Sequence, residues 1–184
     1  MRIGSGEMRG RRVRAPRGER TRPTSGRLKK SLFDVLAPRL PGARVLDLYA
    51  GSGSLAFEAL SRGAESAVLV ERNRRACESI RRNVEDLELG GRVAILPMDV
   101  SSALSKLLHR GERFDVVFAD PPYRSNEPDD LLVLLGDGRL VAEGALVILE
   151  HHHKRELRSR YGTLSQHRVI KAGESCLTLF APSE

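Results

Sequence analysis

Tryptophan is missing from this 184-residue chain, and Phe, Tyr and Trp together make up 4% of it. Any core must therefore be aliphatic. Cysteine occurs only at Cys77 and Cys176. That is too few for a disulfide framework, and the spacing is wrong for a metal cluster, so a reducing, cytoplasmic setting is expected. Long apolar runs are missing too. None exceeds five residues, as in Ala145 to Leu149, whereas a bilayer span needs about 20. No apolar h-region follows the N-terminal arginines, so a secretory signal is not expected. Acidic residues are scarce at one end: residues 1–30 contain only Glu7 and Glu19.

That same segment holds eleven of the 31 Lys and Arg residues and carries +9. The remaining 154 residues hold 20 bases and 22 acids, so the surplus belongs to the N-terminal arm. Nearly all of it is arginine, whose planar fork suits bidentate contact with phosphate. A dense basic arm on a near-neutral body predicts a nucleic-acid contact. The plainer alternative is a solvated tail.

Apolar residues make up 40% and charged residues 30%, which suits one globular unit of ordinary size. Alternation from Glu7 to Ala15, broken by Gly4, Gly6 and Gly10, predicts a short twisted hairpin. Pro23-Thr24-Ser25 predicts a helix start, and Leu28, Leu32, Val35 and Leu36 follow at helical spacing. From Arg44 onward, short apolar runs alternate with helical patterns. Strands are predicted at Val45–Leu48, Ala67–Val70, Val93–Leu96, Val116–Ala119 and Ala145–Leu149. Helices are predicted through Leu55–Leu60, Ala76–Leu87, Leu104–Leu108 and Leu131–Leu135. This is the pattern of a parallel sheet covered on both faces. Leu164–Lys171 and Ser175–Ala181 are separated only by Ala172-Gly173 and predict a closing antiparallel hairpin.

In such a sheet, ligands sit at the carboxyl ends of the strands. Four predicted strand ends carry acids: Asp47, Glu71, Asp99 and Asp120. Capping of the following helix is a competing reading for Asp99. It fits Asp47 poorly, because a glycine loop intervenes. That loop, Ala50-Gly51-Ser52-Gly53, formally matches a dinucleotide fingerprint, with Glu71 twenty residues beyond Gly51. Against NAD, Asp47 would place a carboxylate near a pyrophosphate. It suits a ligand with a cationic amino-acid end, such as S-adenosylmethionine. Asp47 would then help hold the ammonium, Glu71 the ribose diol and Asp99 the adenine amine. The run His151-His152-His153 alternates across a strand, so its three rings cannot converge on a metal. It predicts a strand end opening onto a substrate cleft. Cys77 falls on the apolar face of its helix and is assigned to the core.

Asp120-Pro121-Pro122-Tyr123 follows the fourth strand directly. Two prolines fix a rigid turn that continues neither ladder nor helix. The Asp120 carboxylate and the Pro121 carbonyl accept hydrogen bonds only. With a Tyr face beside them, they suit a planar group bearing an amine, such as a nucleobase.

Together, Asp47, the glycine loop and Asp120 to Tyr123 resemble the S-adenosylmethionine-dependent amino-methyltransferases. More closely, the chain resembles the RsmD family of 16S ribosomal RNA guanine-N2 methyltransferases. The segments that carry this are Met1-Arg2-Ile3, Arg9-Gly10-Arg11, Thr21-Arg22-Pro23-Thr24, Arg27, Leu32-Phe33, Val45 to Gly53, Glu58 to Ala64, Val70-Glu71, Asp120 to Tyr123 and Glu150-His151. Departures lie at Lys30, at Glu143-Gly144 and at Ala172-Gly173.

The resemblance implies a Rossmann-like class I methyltransferase: an α/β fold with a seven-stranded, mostly parallel sheet and a C-terminal antiparallel hairpin. A basic extension, residues 1–40, would precede the methyltransferase domain, residues 41–184. The implied reaction moves a methyl group from S-adenosylmethionine to the N2 amine of a guanine in 16S rRNA. Catalysis would fall to Asp120, Pro121, Pro122 and Tyr123. The cofactor would be held by Asp47, Ala50, Gly51, Ser52, Gly53, Glu71, Asp99 and Asp120. RNA would meet Arg9, Arg11, Arg12, Arg14, Arg17, Arg20, Arg22, Thr24, Arg27 and Tyr123. No metal is implied, the partner is 16S rRNA or the assembling small subunit, and a monomer is expected. Adenine-N6 methylation of DNA, amide methylation of a protein glutamine, an NAD-binding oxidoreductase and a catalytically silent nucleic-acid-binding module are the alternatives.

Overall fold

The computed structural model describes residues 1–15, 26–121 and 127–183. Eight strands form one sheet: β1 (Arg44–Leu48), β2 (Ser66–Val70), β3 (Val93–Leu96), β4 (Phe114–Ala119), β5 (Val141–His152), β6 (Arg160–Tyr161), β7 (Leu164–Ala172) and β8 (Ser175–Pro182). Their order is β3-β2-β1-β4-β5-β8-β7-β6. The first five pair in parallel, and β6, β7 and β8 close the sheet in antiparallel fashion. Seven strands match the expected set, and the eighth is β6. Two residues carry no periodicity, so that strand has no signature of its own apart from its partner β7. β5 is also longer than its apolar run. It starts at Val141 and crosses an irregularity opposite Phe114–Val116.

The helices are α1 (Gly26–Leu36), α2 (Ser54–Ser61), α3 (Arg74–Asp86), α4 (Val100–His109) and α5 (Glu127–Leu135). α1 and α5 begin next to undescribed residues, so the predicted helix start at Pro23-Thr24-Ser25 lies outside the described structure. Two aliphatic layers sandwich the sheet. On one face α1, α2 and α3 bury Leu32, Phe33, Phe57, Leu60 and Ile80 against Val45, Leu69 and Val116. On the other, α4 and α5 bury Leu104, Leu107 and Leu132 against Leu46, Val117 and Leu149. The scarce aromatics serve as fillers, as where Phe33 meets Phe118 with ring centroids 6.1 Å apart. Because the chain winds outward in both directions from β1, a crevice opens between the carboxyl ends of β1 and β4.

The N-terminal hairpin is present with a different register from the expected one. Its arms are residues 1–3 and 11–13, joined at an antiparallel bridge between Arg2 and Arg12. Glu7, which the alternation placed in a strand, lies in the turn. Ile3, Met8 and Val13 are buried in the same cluster as α1 and α2. The described parts of residues 1–40 thus share an apolar core with the sheet. Gly6 shows how tight this docking is. It adopts φ of 82°, and a Cβ there would lie 1.7 Å from the Ser61 carbonyl oxygen.

Candidate active site

β1 delivers Asp47 one residue before its end, and the chain then turns through Tyr49 to Gly53 into α2. Tyr49 holds φ of 61°, a left-handed conformation that costs a non-glycine residue energy and is concentrated at functional sites. Gly53 caps α2 with φ of 76°. A Cβ there would meet the Phe57 ring at 2.7 Å and Leu69 at 2.8 Å, so only glycine lets the loop fold down onto β2. Glu71, just past β2, braces this loop. It accepts from the Gly51 N–H at 2.8 Å and from the Asn73 N–H at 2.7 Å.

Above the strand ends lies a cavity of about 580 Å³. Glu71, Asp99, Asp120 and Pro121 open onto it, joined by Tyr49, Met98, Leu104, Asp130, Leu131 and Leu134. The structure therefore brings together three of the four strand-end acids and the first half of the Asp-Pro-Pro-Tyr run. Asp47, Ala50, Gly51, Ser52 and Gly53 do not line the cavity; their link to it is through the chamber residue Glu71, which holds the Gly51 N–H. Pro122 and Tyr123 lie outside the described residues, as do Arg17, Arg20, Arg22 and Thr24.

Each acid has a distinct electrostatic condition. Asp47 is buried, and its pKa is pushed up to about 8. Burial is the main cause. The Ala56 N–H, at 3.3 Å, opposes it, while the charges of Asp120 and Glu71 reinforce it. Asp120 faces the cavity and is solvent-accessible, yet the surrounding walls push it up to about 7, with the Glu150 charge adding to the effect. Asp99 is held below the usual carboxylate range by the Ser102 N–H at 2.9 Å and the Ser102 hydroxyl at 2.8 Å. It caps α4 and lines the cavity at once, so capping and ligand contact are not exclusive. The result is an acid-rich, half-apolar chamber over a buried acid.

Several chamber residues escaped the sequence reading. Tyr49 and Met98 directly neighbour residues already singled out, and Asp130, Leu131 and Leu134 share one face of α5. Only the crossover of α5 over β4 brings that face to the site. The histidine run behaves otherwise than expected. None of the three lines the cavity. His151 is buried, with Nε2 2.8 Å from the Thr178 hydroxyl and Nδ1 3.0 Å from the His152 carbonyl, and burial lowers its pKa. It fastens β5 to β8. Cys77 is buried and donates to the Glu71 carbonyl at 3.1 Å, in keeping with its assignment to the core.

The RNA-assigned arginines fall into two groups. Arg11 donates to the main-chain carbonyls of Asp86 and Leu87, and Arg14 donates to the Asp86 carboxylate at 2.8 Å. These two clamp the arm to α3. Arg9, Arg12 and Arg27 are exposed.

A sheet of this order, with a glycine loop after β1, acids at successive strand ends and a chamber at the switch point, defines the class I methyltransferase fold. The family described as "Conserved hypothetical protein 95" matches residues 1–181, and the chain belongs to it: this is the RsmD family. The chain is similar to the ribosomal RNA small subunit methyltransferase D of Escherichia coli K12. They are 34% identical over 180 residues, spanning 98% of this chain and 89% of that protein. The corresponding protein of Haemophilus influenzae is 33% identical over 85% of this chain and 81% of its own length. A solved structure from Thermus thermophilus superposes with a TM-score of 0.85 at 35% identity, covering 98% of this chain and 99% of that one. The SMU.776 protein, whose crystal structure is a complex with SAH, shares the fold at a TM-score of 0.66 and 15% identity, over 83% of this chain and 49% of that one.

Proposed function

We propose that the chain transfers a methyl group from S-adenosylmethionine to the exocyclic N2 amine of a guanine in 16S rRNA. The observation that carries this reading is the convergence of Asp120 and Pro121 with Glu71 and Asp99 on one chamber. The fit to the cofactor rests on that chamber's chemistry. Met98, Leu104, Leu131 and Leu134 offer an apolar slot for a planar base, and Glu71 and Asp99 offer acceptors for a diol and an amine. Asp47 beneath the loop is a buried acid that a cationic ligand would restore to its charged form. When bound, the cofactor supplies an activated methyl group on a sulfonium.

The N2 amine is a weak nucleophile, because its lone pair is delocalised into the ring. The Asp120 carboxylate and the Pro121 carbonyl accept its two N–H bonds and draw the nitrogen toward tetrahedral geometry. Catalysis is then chiefly positioning. Asp120, with a pKa near neutrality, is suited to take the proton released afterward. Tyr123 is assigned the stacking of the extruded base, and Pro122 is assigned to the same catalytic run. The basic arm and Arg27 provide phosphate contacts, and the E. coli relative's printed name supports rRNA of the small subunit as substrate. Residues 1–40 act as the RNA-contacting extension and 41–184 as the catalytic unit. Among the described residues only Met1 and Val133 are large apolar side chains left exposed, which supports a monomer. Among those residues no helix is long and apolar enough to cross a membrane, and the proposed site of action is the cytoplasm.

The test is transfer of a tritiated methyl group to hypomethylated small-subunit particles, followed by nucleoside analysis. N2-methylguanosine is the expected product. N6-methyladenosine, or no incorporation into RNA, would overturn the reading.

A further inference from the structure

A second cavity, of about 980 Å³, lies away from the catalytic chamber, between the N-terminal hairpin and α3. Five guanidinium groups line it, from Arg11, Arg12, Arg14, Arg75 and Arg82, against the two carboxylates of Glu78 and Asp86. We infer that this groove is a track for the phosphodiester backbone of the substrate RNA, with Arg12, Arg75 and Arg82 as its phosphate contacts. The inference rests on the rRNA reading above and adds α3 to a surface otherwise confined to the arm.

The hydrogen bonds divide the five cations by role. Arg14 pairs with Asp86 at 2.8 Å, and Arg11 donates to the Asp86 and Leu87 carbonyls and lies 3.8 Å from Glu88. Arg14 neutralises Asp86, Arg11 is taken up by main-chain carbonyls and Glu88, and together they clamp the hairpin in place. Arg12, Arg75 and Arg82 are exposed, and none has a carboxylate partner among the described residues. Glu78 is the one groove carboxylate left to oppose them. Cationic groups that the fold does not use for itself, set in a concave surface, are what a polyanion requires.

Their spacing favours a strand over a single anion. Arg75 and Arg82 are seven residues apart on one face of α3, so their backbones are separated by about 10 Å along the helix axis. Arg12 faces them from the other wall. That separation suits successive phosphates of a chain better than one ion.

The groove is also braced against the glycine loop. Val13, between Arg12 and Arg14, is buried. The side chain of Asn83, fully buried, accepts from the Arg14 N–H at 2.9 Å and donates to the Arg14 carbonyl at 3.0 Å. The same amide donates to the Ser52 carbonyl, in the glycine loop, at 3.2 Å. One wall of the groove is thereby tied to the loop beneath the proposed methyl donor. An RNA laid along it would approach the chamber along α3, whose first turn follows closely on Glu71.

The experiment measures binding of the full chain to hypomethylated small-subunit particles across a salt series. The variants are R75Q/R82Q, R75K/R82K and R12Q. Each neutralised phosphate adds about 0.7–0.9 to the log–log salt slope, so R75Q/R82Q should flatten it by about one to two and weaken binding roughly ten-fold near physiological salt. R12Q should flatten it by about one, and R75K/R82K should retain most of the wild-type slope. Affinity for S-adenosylhomocysteine should not change. If R12Q weakens binding but R75Q/R82Q does not, the groove proposal is wrong while the rRNA reading stands. If the wild-type chain itself binds the particle without salt dependence, both fall.

Discussion

Asp47 and Asp120 have pKa values pushed up to about 8 and about 7, and the Asp120 charge adds to the rise at Asp47. A cationic ligand reverses that, so its binding should release protons. Cofactor affinity should therefore tighten as pH rises from about 6 to about 9. Calorimetry in buffers of different ionisation enthalpy checks this, and a flat profile would remove Asp47 from the cofactor site. The same burial acts on stability with a definite sign. An acid whose folded pKa is raised contributes most below the ordinary aspartate range, and that contribution is lost as pH climbs through about 8. Asp47→Asn should consequently melt higher than wild type at a pH of about 8.5, by roughly 2–4 °C if the gain is about 1 kcal/mol. It should weaken cofactor binding by about 1–3 kcal/mol, the scale for a lost hydrogen bond to a charge. Asp120→Ala should reduce turnover by at least ~10²-fold with the fold intact, comparable to removing one polar group aimed at a reacting centre. Asp120→Asn should be milder, because it keeps an acceptor. Single-turnover kinetics would separate the two variants.

Among the elements, α2 fastens the arm from the side opposite its residues 11–14, which are clamped to α3. Glu58 is buried, accepts from the Gly4 and Ser5 N–H groups, and pairs with Lys29 of α1 at 3.2 Å and Arg62 at 2.9 Å. Burial alone would raise its pKa. The Gly4 N–H, the Lys29 charge and the hydrogen bonds from Arg62 and Lys29 outweigh that and hold it below the ordinary value. Its stabilisation is thus present above the ordinary glutamate range and lost as pH falls through the depressed pKa. Glu58→Ala would strand two cations and two amide donors. It should destabilise the chain by about 3 kcal/mol and accelerate hydrogen exchange at the Gly4 and Ser5 amides. Unchanged protection at those amides would show that Ser61, which also bonds residues of the turn, suffices alone.

For the molecule as a whole, the arm proposed to face RNA is also a piece of the core. Deleting residues 1–13 removes Ile3, Met8 and Val13 from the main apolar cluster. Each buried side chain of this kind is worth about 1.5–3 kcal/mol, so the deletion should lower the melting temperature by more than ~10 °C. Loss of RNA methylation in such a truncation would mix folding with recognition. Arginine-to-glutamine substitutions at exposed positions separate them. Thermal denaturation of the truncated and full chains, followed through the same transition, checks the size of the effect.

Periodicity and strand-end acids determined a great deal by themselves. Short apolar runs alternating with helical stripes specified seven strands and the sheet's parallel half, because that pattern is local and each run must be buried on both faces. The acids at Asp47, Glu71, Asp99 and Asp120 were legible because parallel strands all end on one side. The Asp-Pro-Pro-Tyr run was legible because two prolines leave the backbone few conformations. Other features arise from contacts between residues far apart in sequence, and no local pattern encodes them. β6 exists only because β7 offers it a partner. α5 contributes Asp130 and Leu131 to the chamber only through its crossover. His151 is a fastener because Thr178, on a neighbouring strand, meets its ring. The division of the arginines into clamps and free cations depends on Asp86 and Asn83, which lie far along the chain from the arm. Charge was written in the sequence, but which charges remain free for a ligand was decided by what the folded chain uses to hold itself together.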